Sequence, residues 1–401
     1  MSEMQFISKR GQKMPSSPIR RLVPYADQAV ESGKHVYYLN IGQPDILTPE
    51  AFLNPIKNLD MPVIAYGPSA GFTSLRKKLV EYYARFDIYL DYSEILVTTG
   101  GSEAIIFTMM SVCDEGDEII IPEPFYTNYN GFAVEAGVNV VPITSRIEND
   151  FKLPPIESIK DKITSKTRAI LICNPNNPTG YVYSTEELEA LRKIVLEYNL
   201  FLLSDEVYRE FTYDGLRHTT AMHLKGIEDR VIMLDSVSKR YSACGARIGM
   251  IVSKNKNIIE TALKFGMARL CPPSIEQVGV ESGIDTPKEY FDQVNKEYTE
   301  RRNIMVSLLR KIPGVIAPNP KGAFYMVVRL PVKDANDFAQ WLLSDFQINN
   351  ETVLLAPADG FYSTPGLGKD EVRIAYVLNV EDIRKAMHIM SEALKVYPGR
   401  I

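Results

Sequence analysis

Lys239 lies in the stretch "LDSVSKRYSACGARIG", directly after an apolar run at residues 231–234 that predicts a buried strand. Lysines usually lie on solvated surfaces, because burying an unpaired ammonium group is costly. In a dry pocket an amine can instead stay neutral and form a Schiff base with an aldehyde. The small residues around Lys239 leave room for such a partner, so the pattern predicts covalent chemistry at a strand end.

Three further stretches follow predicted strands, where open α/β sheets bind their ligands. "TTGGSEA" at residues 98–104 predicts a glycine turn and a helix start, whose free N–H groups suit an anion. "CNPNNPTG" at residues 173–180 offers amide donors on a backbone that proline restricts. "LLSDEVY" leads an apolar strand into Asp205, a carboxylate that needs a partner. The alternatives are an ordinary turn for the glycines and a helix N-cap for Asp205.

Together these stretches suit one cofactor. A buried carboxylate such as Asp205 can keep a pyridine nitrogen protonated, which makes the ring an electron sink. A glycine turn, hydroxyl groups and Arg247 can hold a phosphate. With Lys239 as the partner of an aldehyde, the set matches what pyridoxal 5′-phosphate (PLP) requires.

Alternating strand and helix patterns must position these residues. The predicted strands are short, apolar and rich in β-branched residues, at 95–98, 118–121, 138–143, 168–173, 200–205, 231–234 and 248–253. Helical patterns lie between many of them, including 102–112, 126–136 and 185–198, the last with Ser184 as N-cap. This alternation predicts an α/β fold with a mostly parallel sheet covered on both faces.

The chain of 401 residues is long enough for two domains. After residue 273 the pattern changes to long helices and a mixed α+β tail. We predict a large cofactor-binding domain at 50–285 and a small C-terminal domain at 286–401. Residues 1–49 are predicted to form an N-terminal arm and part of the small domain.

Composition excludes several classes of function. Net charge is −5 and the 45 basic residues are scattered, which argues against a nucleic-acid or polybasic membrane protein. The N-terminus has no apolar leader pattern, and the longest apolar runs are too short to span a bilayer. Four widely spaced cysteines form no metal motif, so we expect no metal site and a cytoplasmic protein with reduced thiols.

The sequence resembles the class I aminotransferases of the fold-type I PLP-dependent superfamily, from "LNIGQPD" to "VRIAYV". Three motifs carry the resemblance in this order: N-P-x-N-P-T-G, D-E-V-Y and S-x-S-K-x₇-R-x-G. "SPIRRLVP", "SACGAR" and "GFYSTPGLG" most resemble a bacterial aspartate aminotransferase-like branch. The resemblance implies a seven-stranded, mostly parallel sheet in the large domain and a smaller α+β domain.

The resemblance also implies a role for each site residue. Lys239 would bond to the cofactor aldehyde, Asp205 would contact the pyridine nitrogen, and Tyr126 would stack on the ring. Tyr208 and Asn177 would contact the 3′-oxygen. The residues implied around the phosphate are Gly101, Ser102, Ser236, Ser238 and Arg247, together with Tyr66 reaching across from the neighbouring subunit of a homodimer.

Substrate recognition follows from the same resemblance. Arg373 would bind the α-carboxylate of an amino acid in a bidentate manner, assisted by Asn177 and the backbone N–H of Gly42. The alternative for Arg373 is a surface arginine on an edge strand. Aspartate or glutamate is the expected amino acid, with Arg269 of the other subunit as a candidate for the distal carboxylate. Some bacterial aspartate enzymes hold that carboxylate with a lysine in the glycine-turn helix, which this sequence lacks, so Arg269 is a candidate replacement. Arg269 is equally compatible with an ordinary interface role.

The implied reaction is a ping-pong exchange between an amino acid and a 2-oxo acid, with Lys239 as general acid and base. An aminotransferase for aromatic or neutral amino acids is one alternative. A β-eliminating lyase, a decarboxylase or an acyl-transferring synthase on the same fold are others. A catalytically silent regulator is disfavoured, because no helix-turn-helix pattern precedes Leu39.

Overall fold

A computed structural model describes residues 7–401, so the first six residues of the predicted N-terminal arm lie outside it. Within this range twelve strands form three sheets: β1 (His35–Tyr38), β2 (Ile95–Thr99), β3 (Glu118–Glu123), β4 (Asn139–Thr144), β5 (Thr167–Cys173), β6 (Phe201–Asp205), β7 (Val231–Ser236), β8 (Ile248–Val252), β9 (Tyr325–Arg329), β10 (Glu351–Leu354), β11 (Ala356–Pro357) and β12 (Glu371–Ala375).

Fourteen α-helices accompany the strands over the same range: α1 (Lys9–Lys13), α2 (Val23–Glu31), α3 (Glu50–Lys57), α4 (Thr73–Ala84), α5 (Gly100–Val112), α6 (Asn128–Ala136), α7 (Ile156–Lys160), α8 (Thr185–Tyr198), α9 (Val237–Arg240), α10 (Lys256–Arg269), α11 (Ser274–Gly283), α12 (Lys288–Leu309), α13 (Ala335–Ser344) and α14 (Val380–Val396). Among these described helices, none is both long enough and apolar enough to span a membrane.

The central sheet has seven strands in the order β2-β8-β7-β6-β5-β3-β4. All pairs from β7 to β4 are parallel, and β8 runs antiparallel to both of its neighbours. Successive residues of one strand pack into different apolar clusters, as Leu202 and Leu203 do on the two faces of β6. The sheet is therefore buried on both sides, and the predicted seven-stranded, mostly parallel α/β fold is confirmed.

Helix α8 begins where the sequence predicts. The Ser184 hydroxyl accepts a hydrogen bond from the Glu187 N–H at 3.2 Å, and the Glu187 carboxylate accepts from the Ser184 N–H at 2.8 Å. This capping box satisfies two N–H groups that the helix itself cannot pair. Helix α6 begins at Asn128, so the predicted start at residue 126 is two positions early and Tyr126 precedes the helix.

The segment before residue 50 packs against the C-terminal part of the chain. Strand β1 pairs in parallel with β10, and Leu39 shares an apolar cluster with Ile374 and Leu394. A separate three-stranded antiparallel sheet has the order β11-β12-β9, which makes β12 its central strand.

Charged side chains lie almost fully buried behind the carboxyl ends of β6 and β7, each of them no more than 8% exposed. A buried charge is tolerated only where its partners and further hydrogen bonds satisfy it. The group comprises three carboxylates and two guanidinium groups, termed the buried ionic cluster: Glu206, Glu210, Asp235, Arg209 and Arg240.

Asp235 is the centre of the buried ionic cluster. One of its carboxylate oxygens accepts a hydrogen bond from Arg240 Nη2, and the other lies 3.5 Å from Arg209 Nη1. Arg209 also donates to Glu206 at 3.2 Å. Because Glu206 follows β6 directly and Arg240 ends α9, these bonds hold two strand ends and a short helix in one arrangement.

We predict that Arg240→Met lowers the free energy of unfolding by about 3–5 kcal/mol, because two buried carboxylates lose a cation. Urea unfolding followed by circular dichroism measures this loss. The matched control is Lys288→Met, which removes an ion pair with Asp292 whose side chains are 80% and 59% exposed. That control is expected to lose less than about 1 kcal/mol. Equal losses in the two variants would contradict a stabilising role for the buried ionic cluster.

Candidate active site

A cavity of about 740 Å³ lies at the carboxyl ends of the central parallel strands. Twelve of the fourteen residues predicted for the site line it: Gly42, Gly101, Ser102, Tyr126, Asn177, Asp205, Tyr208, Ser236, Ser238, Lys239, Arg247 and Arg373.

Lys239 reaches the cavity from α9, immediately after β7. Its Nζ donates a hydrogen bond to the Gly42 carbonyl oxygen at 2.9 Å and lies 3.7 Å from Cys244 Sγ. Among the described residues no carboxylate forms an ion pair with Lys239. A Cβ atom at residue 42 would lie 1.8 Å from the Tyr325 hydroxyl oxygen, so only glycine lets this loop approach. The amine is therefore held in the cavity by a neutral carbonyl and is available for covalent chemistry.

One end of the cavity collects donors for an anion. The hydroxyl oxygens of Ser236 and Ser238 lie 2.8 Å apart, and the Ser236 hydroxyl also caps α9 by accepting from the Ser238 N–H. Gly101 and Ser102 lie in the first turn of α5, where backbone N–H groups lack intrahelical partners. Arg247 lines the same cavity. Hydroxyls, free N–H groups and a guanidinium group together suit a phosphate.

Two glycines allow this anion-binding end to form. Gly100 has a φ of +73°, and a Cβ atom there would lie 2.2 Å from Arg247 Nη2. A Cβ atom on Gly249 would lie 2.4 Å from the Gly100 carbonyl carbon. Strand β8 thus contacts the glycine turn directly, which explains the glycine that follows Arg247 by two residues in the S-x-S-K-x₇-R-x-G motif.

Asp205 ends strand β6 inside the cavity and is 5% exposed. Its carboxylate accepts a hydrogen bond from the Tyr129 hydroxyl at 2.6 Å and has no ion pair with any residue in the described range. Burial raises the pKa of Asp205 to about 6, although the Tyr129 hydrogen bond opposes the shift. The chain after Asp205 forms turns, so the helix N-cap alternative is wrong. A buried carboxylate of this kind suits a ligand that brings a positive charge.

Asn177 and Tyr208 form a polar wall beside Asp205. Asn177 Nδ2 lies 3.4 Å from the Tyr208 hydroxyl, which is 3.1 Å from the Tyr325 hydroxyl. Asn177 Oδ1 accepts a hydrogen bond from Arg373 Nη1 at 3.2 Å. The amide therefore connects the Tyr208 hydroxyl to the guanidinium group of Arg373.

Arg373 lies on β12 and is 2% exposed, although it has no carboxylate partner among the described residues. Its guanidinium carbon lies 4.6 Å and 5.0 Å from the ring centres of Tyr325 and Phe361. Nη2 donates to the Asn40 carbonyl, whereas Nε has no partner. Burial lowers the pKa of Arg373. Because β12 is the central strand of its sheet, the edge-strand alternative is wrong, and the buried guanidinium suits a carboxylate ligand.

Tyr126 places an aromatic ring at the cavity wall. Its hydroxyl accepts a hydrogen bond from Asn128 Nδ2 at 2.8 Å. Its ring packs edge to face against the ring of Tyr129, with the two ring centres 5.6 Å apart. The ring is held by these contacts just before helix α6 begins.

Two predicted site residues do not line the cavity. Tyr66 is 81% exposed on the protein surface. Arg269 Nε donates to the Glu103 carboxylate at 3.2 Å, and its Nη2 donates to the Val97 carbonyl oxygen at 3.4 Å. Neither side chain contributes to the cavity of its own protomer.

Sequence reasoning missed Tyr325 and Arg20, which both line the cavity. Tyr325 belongs to the run "GAFYMVV", whose pattern indicates only a buried strand. Arg20 lies in the N-terminal segment, far from every strand end used in the prediction. A signal for Tyr325 existed in the glycine of "NIGQPD", since Gly42 and the Tyr325 hydroxyl occupy adjoining space.

Residues 34–390 match the family described as Aminotransferase class I and II. The chain is 30% identical over 392 residues to an aspartate aminotransferase of Bacillus subtilis (strain 168), covering 95% of this chain and 97% of that protein. It is also 30% identical to the aromatic-amino-acid aminotransferase 2 of Thermococcus litoralis, covering 97% and 98% of the two chains.

The structure superposes on the aspartate aminotransferase from Thermus thermophilus with maleate with a TM-score of 0.89. That pair is 27% identical and covers 98% of this chain and all of the other. Family, relatives and fold agree with the cavity just described. The chain therefore belongs to the class I and II aminotransferases, as a PLP-dependent fold-type I enzyme of the aspartate aminotransferase-like branch that acts on amino acids and 2-oxo acids.

Proposed function

We propose that this aminotransferase moves an amino group between a dicarboxylic amino acid, aspartate or glutamate, and a 2-oxo acid. Arg373 carries the amino-acid part of the proposal, because it is a buried guanidinium without a carboxylate of its own, in the same cavity as the Lys239 amine. Its guanidinium group suits the α-carboxylate that all amino acids share. The names of the aspartate aminotransferases among its relatives support the dicarboxylic substrate. The alternative is an aromatic or neutral amino acid, supported by the Thermococcus litoralis relative and the aromatic cavity wall.

The residues of the cavity fit PLP. The donor set of Gly101, Ser102, Ser236, Ser238 and Arg247 suits its phosphate, and Asp205 lacks a cation that a protonated ring nitrogen would supply. We assign Tyr126 to the face of the ring, and Tyr208 and Asn177 to its 3′-oxygen. When bound, PLP supplies an aldehyde and an electron-withdrawing ring, which make the α-proton of an amino acid easier to remove.

Three side chains of the cavity then have separate roles in substrate binding and proton transfer. Arg373 binds the α-carboxylate, with Asn177 and the Gly42 N–H as further donors, and so orients the α-hydrogen toward Lys239. Lys239 Nζ would take this proton as a general base and, as a general acid, deliver it to the former aldehyde carbon of the cofactor. Asp205 keeps a proton on the ring nitrogen throughout, because its buried carboxylate is stabilised by an adjacent positive charge.

We predict that Lys239→Ala lowers kcat for transamination by at least about 10²–10⁴-fold, the usual contribution of a general acid–base group. Lys256→Ala, which removes a lysine side chain that is 87% exposed, is the control and is expected to keep full activity. The assay mixes purified enzyme with aspartate and 2-oxoglutarate and measures both products. Full activity of Lys239→Ala would contradict the assignment.

Omitting the 2-oxo acid separates the reaction from β-elimination. A lyase would release ammonia and a 2-oxo acid continuously from one amino acid. An aminotransferase stops after one turnover per site, because its cofactor keeps the amino group.

We propose a homodimer in which each subunit contributes to the other's site. Leu47, Val63, Ile64 and Tyr66 are between 65% and 85% exposed, and apolar surface of this extent favours a protein partner. In the dimer Tyr66 would reach the phosphate of the neighbouring site. A cytoplasmic location is proposed as well, supported by four cysteines that form no disulfide in the described range.

We also propose the division into a large domain at 50–285 and a small domain at 286–401 that includes part of 1–49. The pairing of β1 with β10 supports this division. Closure of the small domain over the substrate would exclude water from the cavity.

For the dimer, we predict that the wild-type enzyme sediments as a dimer at assay concentration. Tyr66→Phe should keep the dimer and weaken PLP affinity about tenfold, since one hydrogen bond to a charged phosphate is lost. Tyr89→Phe changes another tyrosine that is 69% exposed and is the control. A fully active monomer would contradict the shared site.

A further inference from the structure

The cavity contains four cationic side chains against a single carboxylate. Its lining includes Arg20, Lys239, Arg247 and Arg373, whereas Asp205 is the only acidic residue that lines it in the described chain. Such an excess of positive charge attracts anionic ligands.

Three of the four cations have partners under the proposed function. Arg247 faces the cofactor phosphate, Arg373 binds the substrate α-carboxylate, and Lys239 reacts with the cofactor aldehyde. Arg20 is left without a counter-ion. Among the described residues it forms no ion pair and no side-chain hydrogen bond, and it is exposed at the cavity wall.

The backbone that carries Arg20 is tied to the α-carboxylate site. Arg20 ends a short helix, Pro18–Arg20. The carbonyl oxygen of the preceding residue, Ile19, accepts a hydrogen bond from Asn40 Nδ2 at 3.4 Å. The Asn40 carbonyl oxygen in turn accepts one from Arg373 Nη2. This chain of contacts fixes the Arg20 backbone relative to Arg373.

Packing on the other side also holds the segment. A Cβ atom at Gly360 would lie 2.3 Å from Pro18 Cβ, so the helix rests directly on the loop that contains Gly360. The neighbouring Arg21 forms an ion pair with Asp359 of this loop at 3.4 Å. The segment is therefore docked by Pro18 and Arg21, which leaves the Arg20 side chain free for a ligand.

Arg269 is the weaker candidate for the same task. It already pairs with Glu103 at 3.2 Å, with side chains only 17% and 15% exposed. To bind a substrate it would have to leave that carboxylate partly buried and unpaired, which is unfavourable.

We propose that Arg20 binds the second carboxylate of a dicarboxylic substrate in the same protomer whose Arg373 binds the first. The inference rests on the proposed function, since it names the residue that selects the substrate class. Arg20 is thus a specificity-determining residue, and the acid–base chemistry of Lys239 does not depend on it.

The test compares Arg20→Gln with Arg10→Gln, a control on an exposed arginine of α1 that does not line the cavity. In Arg20→Gln we expect kcat/KM for aspartate and glutamate to fall about tenfold to a hundredfold, the loss of one charged hydrogen-bonding partner. Values for alanine and phenylalanine should stay unchanged. Arg20→Lys should recover part of the loss, and Arg10→Gln should resemble the wild-type enzyme.

Equilibrium binding gives a readout that is independent of turnover. The Kd of the holoenzyme is measured by calorimetry for maleate, which has two carboxylates, and for acrylate, which lacks one of them. Arg20→Gln should weaken maleate binding by a similar factor and leave acrylate binding unchanged. Equal effects on both ligands would overturn the proposal.

The outcomes separate this inference from the proposed function. A wild-type enzyme that prefers alanine or phenylalanine over aspartate and glutamate would overturn both. A wild-type preference for dicarboxylic substrates that persists in Arg20→Gln would overturn only the role of Arg20. Loss of that preference in Arg269→Gln instead would assign the second carboxylate to Arg269.

Discussion

The site depends on charges that the fold buries without neutralising them. Asp205 is 5% exposed and Arg373 is 2% exposed, and neither forms an ion pair with another described residue. Isolated buried charges are among the most unfavourable features a folded chain can contain. Under the proposed function each is opposite in sign to a group of a ligand, a protonated ring nitrogen for Asp205 and a carboxylate for Arg373. Binding of those ligands would then recover free energy lost in burying the two charges.

The surrounding structure keeps these two charges apart from any partner. The buried ionic cluster lies directly behind Asp205, and in it Asp235 is neutralised by Arg209 and Arg240. Its cations are therefore already engaged and do not turn toward Asp205. Arg373 is packed between the rings of Tyr325 and Phe361, which stabilise a cation without neutralising it. Packing at the strand ends thus leaves both charges without a partner from the protein itself, so that only a ligand can neutralise them.

Much of this site could be predicted because its residues follow strands that the sequence marks clearly. Apolar runs precede Asp205 and Lys239, and the carboxyl ends of parallel strands meet at one edge of a sheet. Arg373 was identifiable because an arginine inside the apolar stretch "VRIAYV" is costly unless it binds something. The resemblance to a known family then supplied the roles.

Other features depend on tertiary contacts that no local pattern encodes. The Tyr325 hydroxyl reaches the site from a strand whose sequence predicts only a buried core element. Its neighbour in the site, Gly42, lies 283 residues earlier in the chain. Arg20 enters the cavity only because Pro18 docks its segment on a distant loop. The carboxylate partners of Arg240 come next to it only through the packing of β6, β7 and α9, which no local sequence pattern predicts. Tyr66 lies outside the cavity of its own protomer, so the role proposed for it would require a second copy of the chain.

The most direct test of an unneutralised Asp205 is the pH dependence of the free energy of unfolding. It is measured for the wild-type protein and for Asp205→Asn, each without PLP. Burial raises the Asp205 pKa from 3.8 to about 6, so the folded state binds its proton more tightly than the unfolded state does. The ionised carboxylate therefore destabilises the wild-type protein increasingly as pH rises from about 4 through 6, by about 3 kcal/mol at most.

Asparagine at residue 205 has no such titration. We therefore expect the stability of the cofactor-free variant, relative to wild type, to rise over this pH range and then level off. Saturating PLP should remove or reverse that gain, because its ring nitrogen provides the missing positive charge. A stability difference that is independent of pH and of PLP would contradict the claim that Asp205 is a buried, unneutralised carboxylate that binds a cationic ligand.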